Sequence, residues 1–430
     1  MLLWILLGIP TLFVLVLAFV GFLYLTRGVH VRRVRASNEK DGVPPVSEPF
    51  FCDMVTLHTR TTLQGGHALE LATNGNQTYP RLWQDLREAR RSITVQMYYC
   101  QPGHVADDFK ALLIERARAG VKVHFLADAF GAGKLPKAYY EELGAAGVEV
   151  SVFRPGRWYE LHKMQNRSHI RVVVVDGSVA WTGGFGLDDK WWGDNEDEAE
   201  WRDTNVRFEG PAVLQHQGTF AAAWAEATGT LLSGDAYFPP EERESDGDVY
   251  AGILHAAPTI GSTVAERFVA LSIAASQRRL WISNAYFVPS EEQSRLLQAA
   301  ARRGVDVRIL TCNEHGDSKA TYYAGRGRYE ELLTSGVRIF EYQPAMMHAK
   351  SIVVDGSWAS VGTMNFDNRS MAHNDETLLL VRDERFGSQL EGVFERDMTQ
   401  CREIELASLR RRGAGQRLRE KLYALTFRVL

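Results

Sequence analysis

One stretch of sequence occurs twice in this chain and decides its fold: HAKSIVVDG at residues 348–356 and HIRVVVVDG at residues 169–177. In both copies the aspartate follows the histidine by seven positions, and the two copies lie 179 residues apart. The apolar run between these polar residues predicts a strand that is buried on both faces. One such match could arise by chance in a long chain, but two in the same context indicate an internal duplication.

The segments that surround each copy repeat as well. Each half contains, in the same order, an apolar strand, an amphipathic helix that ends at a glycine, and a second strand. These segments are residues 93–99, 108–119 and 121–128 in the first half, and 280–288, 291–303 and 305–311 in the second. The alternation predicts an α/β fold with a mainly parallel or mixed sheet in each half. We expect one active site at the interface of the halves; two independent α/β domains are the alternative.

The N-terminal segment differs from the rest of the chain. Residues 2–25 carry no charge and are long enough to span a bilayer as a helix. A cleaved signal peptide is the alternative, but the apolar run is too long for one and no basic residue precedes it. Because five basic residues follow the run between positions 27 and 40, the positive-inside rule predicts a single-pass anchor with a cytoplasmic body.

Composition divides the chain into six segments. Residues 1–26 are the transmembrane anchor, 27–51 a polar tether, 52–232 the first half and 249–400 the second half. Residues 233–248 (SGDAYFPPEERESDGD) are rich in proline, glycine and acidic residues and are predicted to link the halves. Residues 401–430 form a basic amphipathic segment that either lies on an anionic membrane or packs on the body.

The bulk composition argues against several classes of protein. A formal net charge of −4 disfavours a protein whose main partner is nucleic acid. The four cysteines stand far apart, with no CxxC pair or cysteine–histidine cluster, so neither a disulfide scaffold nor a structural zinc site is expected. The hydrophobic fraction of 45% is that of a folded protein.

The polar residues of the repeated strand indicate the chemistry. Residues two apart on a strand project to the same face, so His348 lies beside Lys350 and His169 beside Arg171. A cation next to an imidazole suits a bound phosphate, because the cation holds non-bridging oxygens while the imidazole attacks phosphorus or transfers a proton. Core histidines with satisfied hydrogen bonds are the alternative, which the repetition disfavours.

Both halves resemble the phospholipase D superfamily, from about Gly65 to the C-terminus, and within it the chain is similar to the bacterial cardiolipin synthases. The resemblance rests on AYFVP at residues 285–289, ARRGVDVRIL at 301–310, Asp317, and a long match at 347–376 that contains FDNRS and NDE. It implies a duplicated phospholipase D-like fold and a location at the bacterial inner membrane.

The resemblance also implies a two-step phosphatidyl transfer between two molecules of phosphatidylglycerol, which yields cardiolipin and glycerol. One histidine would form a phosphohistidine and the other would act as acid and then as base; by analogy His169 is the nucleophile and His348 the acid–base. No metal or other cofactor is implied. The expected partners are phosphatidylglycerol, membrane phospholipids and an anionic membrane surface, without nucleic acid, and the oligomeric state is left open.

The site residues that the resemblance implies are distributed over both copies. Beyond the histidines, the expected catalytic residues are Arg171, Asp176, Lys350, Asp355, Asn365 and Glu376, and the expected substrate-binding residues are Thr363 and Asp203. The cations and the polar side chains would stabilise charge on the phosphoryl oxygens. In addition, Glu376 is expected to orient His348, and Asp203 to orient His169.

The first copy departs from the family pattern at two positions. Arg171 replaces the usual lysine, which keeps the charge but changes its geometry, and Gly186 stands where the second copy has Asn365. An insertion at residues 190–201 (KWWGDNEDEAEW) also precedes Asp203. Its tryptophans suit a lid near a lipid entrance, and a plain surface loop is the alternative.

Three functions compete on the sequence alone. They are a cardiolipin synthase, a phospholipase D type hydrolase or transphosphatidylase with another acceptor, and a membrane-tethered nuclease of the same superfamily. The negative net charge and the match to FDNRS and NDE disfavour the nuclease. A non-catalytic membrane scaffold is a fourth interpretation, against which the complete second copy weighs.

Overall fold

The computed structural model describes residues 2–25, 29–35, 43–156, 166–195, 197–240, 248–258, 261 and 263–425. Each half is built on one mixed β-sheet. The strands of the first half are β1 (Ala68–Thr73), β2 (Ser92–Met97), β3 (Lys122–Asp128), β4 (Glu149–Phe153), β5 (Arg171–Val175), β6 (Val179–Gly183) and β7 (Thr204–Glu209). Those of the second half are β8 (Tyr250–Ala256), β9 (Arg279–Asn284), β10 (Asp306–Cys312), β11 (Arg338–Tyr342), β12 (Lys350–Val354), β13 (Trp358–Gly362), β14 (Glu376–Arg382) and β15 (Cys401–Glu403).

Helices connect and flank the strands. Those of the first half and the N-terminus are α1 (Leu2–Leu25), α2 (Pro49–Thr59), α3 (Asn74–Glu88), α4 (His104–Arg118), α5 (Lys137–Ala145) and α6 (Ala212–Thr228), with a 3₁₀ turn at Asp189–Trp191. Those of the second half and the C-terminus are α7 (Val264–Ala275), α8 (Glu291–Arg302), α9 (Lys319–Thr334), α10 (Asn368–Ala372), α11 (Glu384–Met398), α12 (Leu406–Arg410) and α13 (Ala414–Ala424).

The two sheets repeat one strand order, which confirms the predicted duplication. Within the described residues, the first sheet has seven strands in the order β1-β7-β6-β5-β2-β3-β4. The second has eight and runs β8-β14-β13-β12-β9-β10-β11, with β15 added at the far edge. Strands β2, β3 and β4 are parallel to one another, whereas the motif strands β5 and β12 run antiparallel to β2 and β9. Each sheet is therefore mixed, and each motif strand lies at its centre.

The motif strands are buried on both faces because the two halves share a core. In β5, Val172 and Val174 belong to the shared core, while Val173 and Val175 belong to the core of the first half. In β12, Val353 belongs to the shared core. Strands enclosed on both faces require a nearly unbroken apolar run, and each copy supplies one. The packing places the residues at the head of each motif strand against the opposite half.

The N-terminal segment was predicted to span a membrane. Helix α1 has no acidic residue in its first turn and no basic residue in its last turn. Across the part of the chain that the structure describes, however, no helix is long and apolar enough to cross a membrane. The predicted transmembrane helix is therefore not confirmed. Residue 26 of the predicted anchor, residues 27–28 and 36–42 of the predicted tether, and residues 241–247 of the predicted linker lie outside the described residues.

The C-terminal segment packs on the body as far as residue 425. In α9, Gly327 lies against Ala424 of α13. The carboxylate of Glu420 is 1% exposed and accepts a hydrogen bond from Arg412 Nε at 2.6 Å. Of the two interpretations of this segment, packing on the body is thus observed, and contact with a membrane stays a prediction.

Candidate active site

A cavity of about 400 Å³ lies at the seam between the two halves, and both motif histidines line it. Side chains from the motif strands, from the insertion and from the second half complete its walls. Its lining includes Arg171, Lys190, Trp191, Trp201, Asn365 and Arg369. The predicted single site at the interface is therefore what the fold builds, since each half contributes one histidine.

Each histidine is held by an acid from the opposite half. His169 Nδ1 is hydrogen-bonded to Glu376, 3.0 Å from both carboxylate oxygens, and His348 Nδ1 donates to Asp203 Oδ2 at 2.8 Å. The predicted pairing, with Glu376 on His348 and Asp203 on His169, is wrong. The correct acids were identified, but each one serves the histidine of the other copy.

Short parallel β-bridges across the seam explain the exchange. Ser168 pairs with Asp375, and Met347 pairs with Arg202. Each bridge is closed by a backbone hydrogen bond from the histidine that follows, His169 N to Asp375 O at 2.9 Å and His348 N to Arg202 O at 2.7 Å. Because the next residue after each bridge partner is the acid, the bridge places that acid beside the histidine of the other half.

The His348 pair contains an ionised acid. Burial alone would raise the pKa of Asp203, but the charge and hydrogen bond of His348 outweigh burial and lower this pKa to about 2. Burial, with the charge of Lys350, lowers the pKa of His348 to about 3. At neutral pH the imidazole is therefore neutral, with its proton on Nδ1 facing the carboxylate, and Nε2 carries the free lone pair.

The His169 pair differs in the state of its acid. Burial raises the pKa of Glu376 well above its usual range, although a hydrogen bond from Thr363 opposes the change. Burial and the charge of Arg171 lower the pKa of His169 well below its usual range. Both imidazoles are thus neutral, but only the acid on His348 is firmly ionised.

The motif cations bind the backbone of the histidine that precedes them. Arg171 Nη1 donates to His169 O at 2.8 Å, and Lys350 Nζ donates to His348 O. Both side chains are 1% exposed. Burial lowers the pKa of Lys350 to about 7, against the attraction of Asp203. Of these two cations, Arg171 lines the cavity and Lys350 lies behind its surface. Their positive charges make the cavity attractive to a phosphate.

Comparison with known proteins agrees with this geometry. The family model described as cardiolipin synthase, PLD-like domain, matches residues 82–224 and 270–398, which contain both histidines and both acids. The chain belongs to this family. Membership makes it a phosphatidyltransferase with a duplicated phospholipase D-like fold.

Curated cardiolipin synthases are similar to the chain over most of its length. One from a Geobacillus species is 33% identical over 380 residues, which cover 86% of this chain and 76% of the relative. Cardiolipin synthase A of Pseudomonas syringae is 34% identical over 339 residues, which cover 79% of this chain and 70% of the relative. The crystal structure of phosphatidylserine synthase from Haemophilus influenzae superposes on the chain with a TM-score of 0.67 at 13% sequence identity. The superposition covers 88% of this chain and 100% of that chain, so the two share a fold.

The aspartates of the cardiolipin synthase motif lie away from the cavity, contrary to the prediction that they are catalytic. The carboxylate of Asp176 accepts hydrogen bonds from the backbone N–H groups of residues 90, 91 and 92. That of Asp355 accepts them from residues 277, 278 and 279. Both aspartates adopt left-handed backbone conformations, with φ of 56° and 51°. Each one fixes the turn after a motif strand to the start of the neighbouring strand, which is a structural role.

The two residues predicted to bind substrate do not line the cavity. Thr363 is fully buried, and its hydroxyl donates to Glu376. Asp203 is also fully buried and bonds to His348. Both therefore support the histidines from behind. Asn365 does line the cavity, as predicted, and within the described part of the chain its Oδ1 has no hydrogen-bond partner.

The insertion forms part of the cavity wall, an arrangement that neither interpretation of the sequence included. Trp191 is 2% exposed, its ring centroid lies 5.3 Å from that of His348, and its indole N–H donates to Asp203 Oδ2 at 2.8 Å. The ring of Trp201 lies 4.9 Å from His348. The clustered tryptophans were the signal in the sequence, but composition could not reveal that they face inwards.

Further lining residues lie in the repeated strands and the matched motifs, but they were not assigned to the site from the sequence. Tyr98 places its ring 4.8 Å from that of His169. The hydroxyl of Tyr286 donates to Asp317 Oδ1 at 2.7 Å, and Arg369 of FDNRS also lines the cavity. Among the residues that the structure describes, no group of three histidine, cysteine or acidic side chains is arranged to hold a metal ion.

Proposed function

We propose that the protein is a cardiolipin synthase that moves a phosphatidyl group from one phosphatidylglycerol to a hydroxyl of a second and releases glycerol. The observation that carries the proposal is the pair of imidazoles in one cavity, each held at Nδ1 by an acid from the other half. Because Nδ1 is engaged on both rings, Nε2 is the nitrogen left to act on one bound phosphodiester.

The transfer takes two steps. In the first, His169 Nε2 attacks phosphorus, the bond to the glycerol oxygen breaks, and His348 Nε2 gives that oxygen its proton. In the second, His348 takes the proton from a hydroxyl of the incoming phosphatidylglycerol, whose oxygen attacks phosphorus and releases His169. The entering phosphate anion raises the pKa of His348, so that this imidazole can hold the proton that the first step consumes.

The surroundings of the two rings support this division of roles. The ionised carboxylate of Asp203 stabilises an imidazolium at His348, which an acid catalyst requires. Glu376, whose pKa is raised by burial, gives His169 less of this stabilisation. His169 is therefore better suited to remain neutral and to act as the nucleophile.

The test is turnover of labelled phosphatidylglycerol by the purified full chain, followed by lipid analysis. We expect cardiolipin and glycerol from the parent, and loss of product in His169→Ala and in His348→Ala. His58→Ala, which removes an exposed ring on α2, serves as the control and should retain activity. Phosphatidic acid as the product would identify a hydrolase instead, and cleavage of single-stranded DNA without lipid turnover would identify a nuclease.

The same protein allows the nucleophile to be identified. A phosphatidyl-enzyme adduct trapped during turnover should be acid-labile and should lie on His169. An adduct that forms equally well in His169→Ala would overturn the division of roles, while leaving the lipid product as a separate result.

We further propose that the enzyme works at a membrane, with its catalytic body on the cytoplasmic side. Large apolar side chains of α1 are 60–63% exposed, among them Leu12, Phe13, Leu15, Phe19 and Phe22. Contiguous apolar surface of this kind supports contact with lipid. Removal of residues 1–25 should move the protein from the membrane fraction to the soluble fraction. Recovery of the full chain in the soluble fraction would refute the proposal.

A further inference from the structure

The first half has no room for an asparagine at the position that matches Asn365. A Cβ atom built on Gly186 would lie 2.8 Å from the ring of Trp191 and 2.9 Å from the carbonyl oxygen of Tyr99. The indole of the insertion therefore occupies the space that a side chain at residue 186 would need. On this side of the cavity, a polar contact to substrate has to come from another residue.

Lys190, next to that indole, places a cation in the cavity. The backbone N–H of Lys190 donates a hydrogen bond to the carboxylate of Asp188 at 3.1 Å, which fixes the 3₁₀ turn. Its ammonium nitrogen lies over three aromatic rings, 3.6 Å from the centroid of Trp201, 3.8 Å from that of Tyr99 and 4.6 Å from that of Trp191. Lys190 is also one of the residues that line the cavity together with His169 and His348, so its ammonium is held by the rings at the cavity wall.

The charge of this ammonium is incompletely compensated. Its side chain is 18% exposed, and among the described residues its ion-pair partner is Asp188, whose Oδ2 is 3.9 Å away, beyond hydrogen-bond distance. Burial lowers the pKa of Lys190 to about 8, although the charges of Asp188 and Asp317 oppose the change. A desolvated cation without a bonded anion gains most from an anion that enters the same cavity.

We propose that Lys190 binds a non-bridging oxygen of the substrate phosphodiester and replaces, in the first half, the contact that Asn365 provides in the second. The cavity then offers donors to phosphate from both walls, Lys190 and Arg171 on one side and Asn365 on the other. The identity of the phosphodiester rests on the proposed function, but the recognition of a phosphate group by Lys190 does not.

The chain contains a matched control. Lys110 on α4 is 19% exposed and lies over the ring of Tyr139, with its ammonium 5.1 Å from the ring centroid. Unlike Lys190, it is paired to Glu142 Oε2 at 2.7 Å and is not among the cavity residues. Lys110→Gln therefore removes one positive charge of similar burial without altering the cavity.

The experiment measures binding of inorganic phosphate to the full chain by calorimetry. Lys190→Gln should weaken phosphate binding about tenfold, the lower end of the loss expected for a charge-assisted hydrogen bond, because this side chain is partly exposed. Lys190→Arg should stay within about threefold of the parent, and Lys110→Gln should match the parent. Equal affinity in Lys190→Gln and the parent, or no phosphate binding by the parent, overturns the proposal. A parent that binds phosphate but does not turn over phosphatidylglycerol contradicts the proposed function alone.

A second measurement uses the parent protein and does not depend on a folded variant. Reductive methylation with formaldehyde should modify Lys190, and phosphate should slow its modification severalfold without slowing that of Lys110. A rate at Lys190 that phosphate leaves unchanged contradicts the proposal. Complete lack of modification at Lys190 contradicts it as well, because an ammonium that cannot meet a small solute in the cavity cannot bind substrate there.

Discussion

The crossed pairing of acids and histidines makes a prediction about Asp203→Asn. Asp203 Oδ2 accepts hydrogen bonds from His348 Nδ1 and from the indole of Trp191, both at 2.8 Å. Asparagine keeps the shape but removes the charge that stabilises an imidazolium on His348. Loss of one charge-assisted hydrogen bond of this kind costs about 2–3 kcal/mol. We therefore expect kcat on phosphatidylglycerol to fall roughly 30- to 150-fold, with little change in KM.

The assay compares two leaving groups to locate the step that is damaged. Glycerol is a poor leaving group and needs a proton from the acid catalyst, whereas p-nitrophenol leaves without one. With a phosphatidyl p-nitrophenyl ester, Asp203→Asn should release its first equivalent of p-nitrophenol within a few-fold of the parent rate. Glu376→Gln is the matched variant. It weakens support of the nucleophile His169, so release of the first equivalent of p-nitrophenol by this variant should remain slow.

The reasoning is refuted by the opposite pattern. If Glu376→Gln is rescued by the activated ester and Asp203→Asn is not, then Asp203 supports the nucleophile, and the roles of the two histidines are exchanged. If neither variant is slowed on phosphatidylglycerol, the acids do not act through the imidazoles at all. Equal inhibition with both substrates in both variants would mean that they damage binding and not proton transfer.

Three further perturbations test individual contacts. Asp355→Ala removes the acceptor of three backbone hydrogen bonds at a residue with φ of 51°, so the free energy of unfolding in denaturant should fall by about 2–4 kcal/mol while the folded fraction keeps its kcat. Trp191→Phe keeps a ring in the cavity wall but removes the N–H that binds Asp203, and should lower kcat about five- to tenfold at unchanged KM. Burial lowers the pKa of Lys350 to about 7, so its protonated form is lost above that pH and kcat/KM should decline on the alkaline side. Lys350→Arg keeps its charge at these pH values, so the decline in its kcat/KM profile should shift to higher pH.

The sequence was sufficient for the architecture because the deciding signals are local. An apolar run such as VVVV at residues 172–175 must be buried on both faces, and its recurrence at the same place in a second α/β unit requires duplication. The strand order of the two sheets agrees with this expectation. The two histidines were assigned to the site from their repeated motif and Asn365 from the family resemblance, and all three line the cavity.

The parts that could not be predicted depend on contacts between distant residues. Spacing along one chain associates Glu376 with His348, but the bridge between Ser168 and Asp375 assigns it to His169. Asp355 is a carboxylic acid within the motif and was predicted to be catalytic for that reason. Only its backbone conformation and its three N–H partners reveal that it forms a turn. The inward orientation of Trp191 depends on the space left by Gly186, which no pattern of sequence expresses.

The exchange of acids also explains how one copy of the motif can diverge. The acid that serves His169 comes from the copy whose motif is complete, so the departures at Arg171 and Gly186 leave the support of this histidine in place. Conversely, a substitution at Glu376 in the second half would impair His169 in the first half. Either half, expressed alone, would hold a histidine without its acid and an acid without its histidine, so each half needs an opposite half to complete its catalytic pair.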